Sequence, residues 1–222
     1  SSNLIPMIAN IGISILSSIW NIVIGLIISV YILADKEKFS ALAKKVNYAI
    51  LPKNGADKAL ELTRLADRIF GSFIGGKILD SAIIGVLTFI ILLIFQIPYA
   101  LLVAFIIGIT NIIPFFGPFI GAIPAFFIIF FISSQKAFLF LFLIFVIQQI
   151  DGNIIGPKIL GGSLGISSFW ILFSLLIGGK LFGILGMIIG VPAFVFIYEI
   201  TKEILEARLR KKELPTNIED YL

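Results

Sequence analysis

Polar side chains are scarce within the long apolar runs of this chain, and those present are the ones that could do chemistry. Asp80, Gln96, Thr110, Asn111, Gln148, Gln149, Asp151, Asn153, Lys158 and Lys180 lie in or beside those runs. An ionisable or strongly polar group surrounded by hydrocarbon is costly, so each is a functional candidate by default. The group Gln148, Gln149, Asp151 and Asn153 is denser than the end of a helix requires. Amides both donate and accept hydrogen bonds, which suits a small neutral polyhydroxy solute. Asp151 is the candidate for holding a monovalent cation or a proton. It also fits an ordinary interfacial pair with Lys158. Lys180 stands between two apolar runs, where it is either buried or caps the apex of a hairpin.

The inventory excludes most catalysis. There is no histidine and no cysteine, which removes Ser–His hydrolysis, HExxH zinc chemistry, thiolate nucleophiles and disulfides together. A carboxylate dyad needs two acids that meet, and Asp80 and Asp151 lie in separate segments. Gly161-Gly162-Ser163-Leu164-Gly165 is glycine-rich but lacks the Gly-Lys-Ser/Thr ending of a phosphate loop. No enzymatic activity, cofactor or metal is expected.

The elements that must position these residues are membrane helices. Hydrophobic residues make up 59% of the chain and charged residues only 14%, against about 45–50% and about 25% for soluble domains. Lipid must therefore cover much of the apolar surface. The expected class is all-α, a polytopic helical membrane protein. Residues 1–34 form a first transmembrane helix, whose apolar run from Ile11 to Leu33 ends at Asp35-Lys36-Glu37-Lys38. Residues 35–80 form an amphipathic helical segment, with Leu62, Leu65, Ile69 and Phe73 at helical spacing against Glu61, Arg64, Asp67 and Arg68. That face suits either a membrane surface or the protein's own core. Residues 81–200 form a transport core, and 201–222 a charged tail. The start, Ser1-Ser2-Asn3, is no signal peptide and reads as a cut within a longer protein.

Charge sets the orientation. Nine of the 17 Lys and Arg residues fall within 35–80 and five in the tail, so both should face the cytoplasm. The crossing count, beginning outside, returns the tail to the same side. The lysines thus mark a membrane face, and no nucleic-acid partner is expected.

Within 81–200 the apolar runs are short or interrupted, giving two broken or re-entrant hairpins at 99–133 and about 165–198. Pro114, Gly117 and Pro118 interrupt the first, and Pro157, Gly178, Gly179, Gly183, Gly186, Gly190 and Pro192 punctuate the stretch leading into and through the second. Interrupted helices leave backbone groups that hydrocarbon cannot satisfy, and paired interruptions point to a substrate path. The plainer alternative is kinks and close packing, to which the Gly117/Gly121, Gly161/Gly165, Gly179/Gly183 and Gly186/Gly190 pairs are suited.

The strings Ile113-Pro114-Phe115-Phe116-Gly117-Pro118 and Gln148-Gln149-Ile150-Asp151-Gly152-Asn153-Ile154-Ile155-Gly156-Pro157-Lys158 closely resemble the autoinducer-2 exporter family, the PerM-type permeases. Ser163-Leu164-Gly165, Leu181-Phe182-Gly183 and Val191-Pro192 extend the resemblance over nearly all of residues 15–200. It implies a secondary transporter in the bacterial inner membrane, exporting a small polar solute such as the quorum-sensing signal. Sodium or lithium exchange for protons, as in antiporter members, is the alternative, and a non-transporting scaffold is a third reading. The resemblance also implies a homo-oligomer, a pentamer in one branch, and a longer chain with about eight membrane helices. Gly162 and Ser167-Ser168 stand where relatives often carry a basic residue and His-Pro, so an imidazole role in proton coupling does not carry over. On this reading the path is lined by Asn111, Pro114, Gly117, Pro118, Gln148, Gln149, Asp151, Asn153, Pro157, Lys158 and Lys180.

Overall fold

The computed structural model describes residues 17, 20, 21, 23–159 and 165–221, and every regular element among them is helical. The beginning of the first apolar run and the motif at 160–164, with the first glycine of the Gly161/Gly165 pair, lie outside the described residues. The chain divides into two compact units, Ser1–Thr63 and Arg64–Leu222.

In the first unit, the apolar helix α1 (Val23–Ala34) runs into α2 (Lys36–Ile50) through the single residue Asp35. Leu51-Pro52 ends α2 because proline forces the preceding residue out of the helical region, and Leu51 is extended at φ −104°, ψ 147°. The chain then turns into α3 (Lys53–Ile94). Two side-chain bonds close the corner: Asn47 Nδ2 donates to the Ala56 carbonyl at 2.9 Å, and Tyr48 Oη donates to Asp57 Oδ1 at 2.6 Å.

The second unit contains the rest of α3, then α4 (Ala100–Thr110), α5 (Gly117–Phe130) and α6 (Ser134–Ile150). A π-helical turn (Asp151–Ile155) joins α6 to the short α7 (Gly156–Ile159), and α8 (Ser168–Lys211) follows. Ile84 and Leu92 of α3 meet Val103 and Ile107 of α4, Ala125 and Ile129 of α5, and Phe140 and Ile147 of α6 in one buried cluster. Outward faces of the same helices expose Leu101, Phe105, Phe119, Phe127, Phe142 and Phe145. A helix that is apolar all round has lipid as its outer solvent. Three helices, Lys53–Ile94, Ser134–Ile159 and Ser168–Lys211, are long and apolar enough to cross a membrane. The chain is an all-α membrane protein.

Two interruptions shape this unit. Between α4 and α5 the backbone turns within 111–116, with Phe115 at φ 61°, and Pro118 sits in the first turn of α5, where its missing N–H costs nothing. The helices press so close that a Cβ on Gly117 would stand 2.0 Å from the Thr110 carbonyl oxygen. The second interruption is Gly183, at φ 63°, ψ −141° within α8. Residues on either side of it face one another: a Cβ on Gly178 would lie 2.2 Å from the Gly186 carbonyl oxygen, and one on Gly190 2.7 Å from that of Ser174. Trp170 stacks on Phe194 with ring centroids 5.2 Å apart. The element is therefore an antiparallel hairpin folded at Gly183, three residues beyond the Gly178-Gly179-Lys180 break that the sequence suggests. The arm preceding the turn, 168–182, reaches roughly 22 Å at 1.5 Å per residue, short of the roughly 30 Å of a hydrocarbon core.

α3 departs from the boundary drawn at residue 80. It is one helix of 42 residues, apolar from Ile69 to Ile94 except for Ser72, Lys77, Asp80, Ser81, Thr88 and glycines. Lys77 lies roughly 12 Å along the axis from Ile69, inside the apolar stretch.

Candidate functional site

Where α3, the end of α4 and the π-helical turn converge, four polar side chains are buried together. On α3, Lys77 and Asp80 are three residues apart and share a face. Lys77 Nζ donates to Asp80 Oδ2 at 2.6 Å, and the two side chains are only 9% and 1% exposed. Asn111 caps the C-terminus of α4 and is buried. Its Nδ2 donates to the same Asp80 oxygen at 3.3 Å. Asp151 opens the π-helical turn, and its carboxyl interacts with the Asp80 carboxyl, the Asn111 amide and the Lys77 charge.

The charge balance is uneven. Two carboxylates face one ammonium, leaving a formal excess of one negative charge when both acids are ionised. Oδ1 of Asp80 and Oδ1 of Asp151 are buried and receive no hydrogen bond among the described residues. Nearby on α3, the hydroxyl of Ser81 is buried and equally without a partner. Three residues before Asp151, Nε2 of Gln148 is a buried donor that finds no acceptor among the described residues. Orphaned buried polar atoms are rare in native proteins and call for a reason.

Local sequence explains how these groups come together. A π-helical turn inserts an extra residue into the helical repeat, which redirects the side chains at its start, and such turns recur at functional sites. Gly156 permits this one, since a Cβ there would lie 3.1 Å from the Asp151 carbonyl oxygen. Asn111 is backed by Gly117, whose Cβ would stand 2.9 Å from the Asn111 Cα. α4 approaches α3 through Gly85 and Gly108, where a Cβ on Gly108 would be 3.2 Å from the Gly85 Cα. That close crossing keeps Asn111 within reach of Asp80.

Between α3 and α4 runs an apolar groove of about 440 Å³, lined by Ser81, Gly85, Phe89, Ala104, Gly108 and Ile112 among others. Ser81 and Ile112 are the immediate chain neighbours of Asp80 and Asn111. One end of the groove thus abuts the polar cluster.

Residues 1–206 match the sequence profile of the AI-2E family transporter. The chain belongs to that family. It is 40% identical over 152 residues to the "Putative transport protein YrrI" of Bacillus subtilis, covering 68% of this chain and 43% of the relative. It is 35% identical over 167 residues to the "Putative transport protein YueF" of the same organism, covering 75% of this chain and 44% of the relative. A "Putative transport protein" of Thermotoga maritima is 27% identical over 179 residues, 80% of this chain and 54% of its own. The chain thus spans a little under half the length of the two Bacillus relatives. No solved structure matches it.

The path residues anticipated from sequence separate into groups. Asn111 and Asp151 join the buried cluster, Gly117 supports it, and Pro114 and Pro118 shape the turn beside it. Gln148 is half-buried in the same region of α6. Gln149, Asn153, Pro157 and Lys158 are exposed, and Asn153 is engaged with the Gln149 carbonyl at 2.8 Å. Lys180 is exposed, three residues before the hairpin turn at Gly183.

The path residues expected from sequence do not include Lys77 and Asp80. Charge counting groups Lys77 with the surface-facing lysines, and separation along the chain sets Asp80 apart from Asp151. The signal that identifies them is local. A lysine and an aspartate three residues apart, with Phe73, Ile74, Ile78 and Leu79 as neighbours, form a self-neutralising pair inside an apolar helix. Such a pair is worth burying only where the helix interior needs it.

Proposed function

We propose that this chain is the transport core of a secondary transporter that exchanges protons for a monovalent cation, sodium or lithium, at the Asp80–Asp151 pair. The supporting observation is the meeting of two buried carboxylates with one lysine, where one oxygen of each carboxylate receives no hydrogen bond among the described residues. Like charges at this separation oppose joint ionisation unless a positive partner arrives. A proton or a small cation supplies that partner, and one displaces the other. Asn111 orients Asp80, and Lys77 holds the site near neutrality so that one added charge, and not two, is accepted. The groove between α3 and α4 offers an approach from the side of the bundle.

Export of a small polar solute resembling autoinducer-2 is the second reading. The unpartnered Gln148 amide favours it, because a solute hydroxyl or carbonyl would give that donor an acceptor. In both readings the protein lies in the bacterial inner membrane, its tail is cytoplasmic, and it assembles as a homo-oligomer, a pentamer by family resemblance. The two short hairpins enter the bilayer without crossing it.

Purified protein in vesicles loaded with a pH-sensitive dye tests the proposal. Sodium or lithium added outside dissipates an imposed proton gradient, and Asp151→Asn and Asp80→Asn abolish the response while remaining monodisperse in detergent. Unchanged exchange in Asp151→Asn ends the cation reading. Sodium-independent uptake of labelled furanone signal, lost in Gln148→Ala, moves the assignment to the solute. Absence of both fluxes in the wild-type chain leaves the scaffold reading standing.

A further inference from the structure

α2 presents an apolar face that nothing among the described residues covers. Phe39, Leu42, Val46 and Ile50 recur at helical spacing and share one side, yet they are 52%, 58%, 47% and 74% exposed. The same helix carries Lys36, Lys38, Lys44 and Lys45 against a single acid, Glu37. On a projection of about 100° per residue, Lys36 borders one edge of the apolar stripe and Lys38 and Lys45 the other. Only Lys38 is paired among the described residues, with Asp35 at 2.8 Å in a solvent-exposed contact.

The position of α2 in its own unit says what meets this face. α1 is apolar up to Ala34, and Tyr31 near its end is 72% exposed, the placement of an aromatic ring at the membrane–water boundary. One residue, Asp35, separates that end from α2, so α2 starts at the depth of the lipid headgroups. Its far end is fixed by the Asn47–Ala56 and Tyr48–Asp57 bonds, which hold the helix in one orientation against the start of α3.

We infer that α2 is an interfacial helix that docks on an anionic phospholipid surface. Phe39, Leu42, Val46 and Ile50 enter the boundary between headgroups and acyl chains. Lys36 and Lys45 carry their ammonium groups to lipid phosphates while their stems lie along the apolar edge. Charge complementarity selects anionic lipid over neutral lipid, since each lysine near such a surface adds attraction that a zwitterionic headgroup does not. The inference stands apart from cation exchange, because it involves neither the buried cluster nor the groove.

The chain has no cysteine, so one introduced thiol reports one position. A fluorophore is attached to Leu42→Cys on the stripe, or to Ala41→Cys on the opposite side, in the full chain reconstituted into nanodiscs. With phosphatidylglycerol present, spin labels in the headgroup region quench the Leu42 probe several-fold more than the Ala41 probe. Lys36→Glu with Lys45→Glu weakens the attraction and brings the quenching of the two probes close to equal. Three results overturn the inference: equal quenching of the two probes, the same contrast in pure phosphatidylcholine discs, or shielding of the Leu42 probe from both lipid-borne and aqueous quenchers. The last of these identifies a protein surface, such as a second copy, as the occupant.

Discussion

Lys77 is the residue on which the buried cluster balances. It is the sole cation facing Asp80 and Asp151 among the described residues, and it contacts Asp80 at 2.6 Å with almost no exposure to solvent. Taking one partner from a buried ion pair leaves an uncompensated charge, which costs roughly 3–5 kcal/mol, whereas replacing both partners with apolar groups of similar size is often neutral. Lys77→Met should therefore lower stability in detergent by an amount in that range. Lys77→Met with Asp80→Leu should recover most of the loss, as read by unfolding in a denaturing surfactant. The double variant should nevertheless transport nothing, since the acid that contacts Asp151 has gone. Recovery of both stability and flux would mean that the pair is structural and that the carboxylates do not hold the transported ion.

At the scale of the elements, the α8 hairpin depends on glycine at three places for two distinct reasons. Gly183 adopts φ 63°, ψ −141°, a region nearly closed to residues with a Cβ, so Gly183→Ala should cost roughly 1–3 kcal/mol through backbone strain. Gly178 and Gly186 have ordinary helical backbones, but a Cβ on either would penetrate the opposite arm to within 2.2 Å or 1.9 Å of a carbonyl oxygen. Gly178→Ala and Gly186→Ala should each separate the arms, at about 1–3 kcal/mol or more for overpacking. A Cβ added to Gly75 of α3 would meet nothing within 4 Å, so Gly75→Ala should be neutral or add up to about 1 kcal/mol of helix propensity. Thermal melts of this series separate strain, collision and propensity. Part of this is legible in the sequence, because apolar run length and the Gly and Pro breaks are local signals: the turn between α4 and α5 falls at the Pro114–Pro118 interruption, while the second break falls at Gly183 and not at Gly178-Gly179-Lys180. The extent of α3 is less legible, since Lys77 and Asp80 read individually as charges at a membrane face. Only as a pair three residues apart do they neutralise each other within one helix. The π-helical turn has no signal in the periodicity, and it is that turn which brings Asp151 to Asp80 from a segment distant in sequence.

For the whole molecule, the arrangement of charge across the bilayer follows from the helices that fully cross it. α3 and the stretch Ser134–Ile159, which is α6 continued through the π-helical turn and α7, are long and apolar enough to span, whereas α4, α5 and the arm of α8 that precedes Gly183 are not. A hairpin returns the chain to the side it entered from, whether it crosses or merely dips into the membrane. The parity of the crossings is therefore fixed by α3 and α6 alone. The first turn of α6, with exposed Gln135, should then lie opposite the tail beyond α8, where Arg208, Arg210 and Lys211 crowd the helix end. Basic residues favour the cytoplasmic side. Burial of Lys77 removes one of the nine counted in 35–80, leaving eight there beside the five of the tail, so the bias survives. Single cysteines at Gln135→Cys and Lys212→Cys test this in intact cells with a membrane-impermeant maleimide. The first should label at once and the second only after the membrane is permeabilised. Labelling of both from outside would mean that one of the hairpins crosses an odd number of times, and the cytoplasmic placement of the tail would fall.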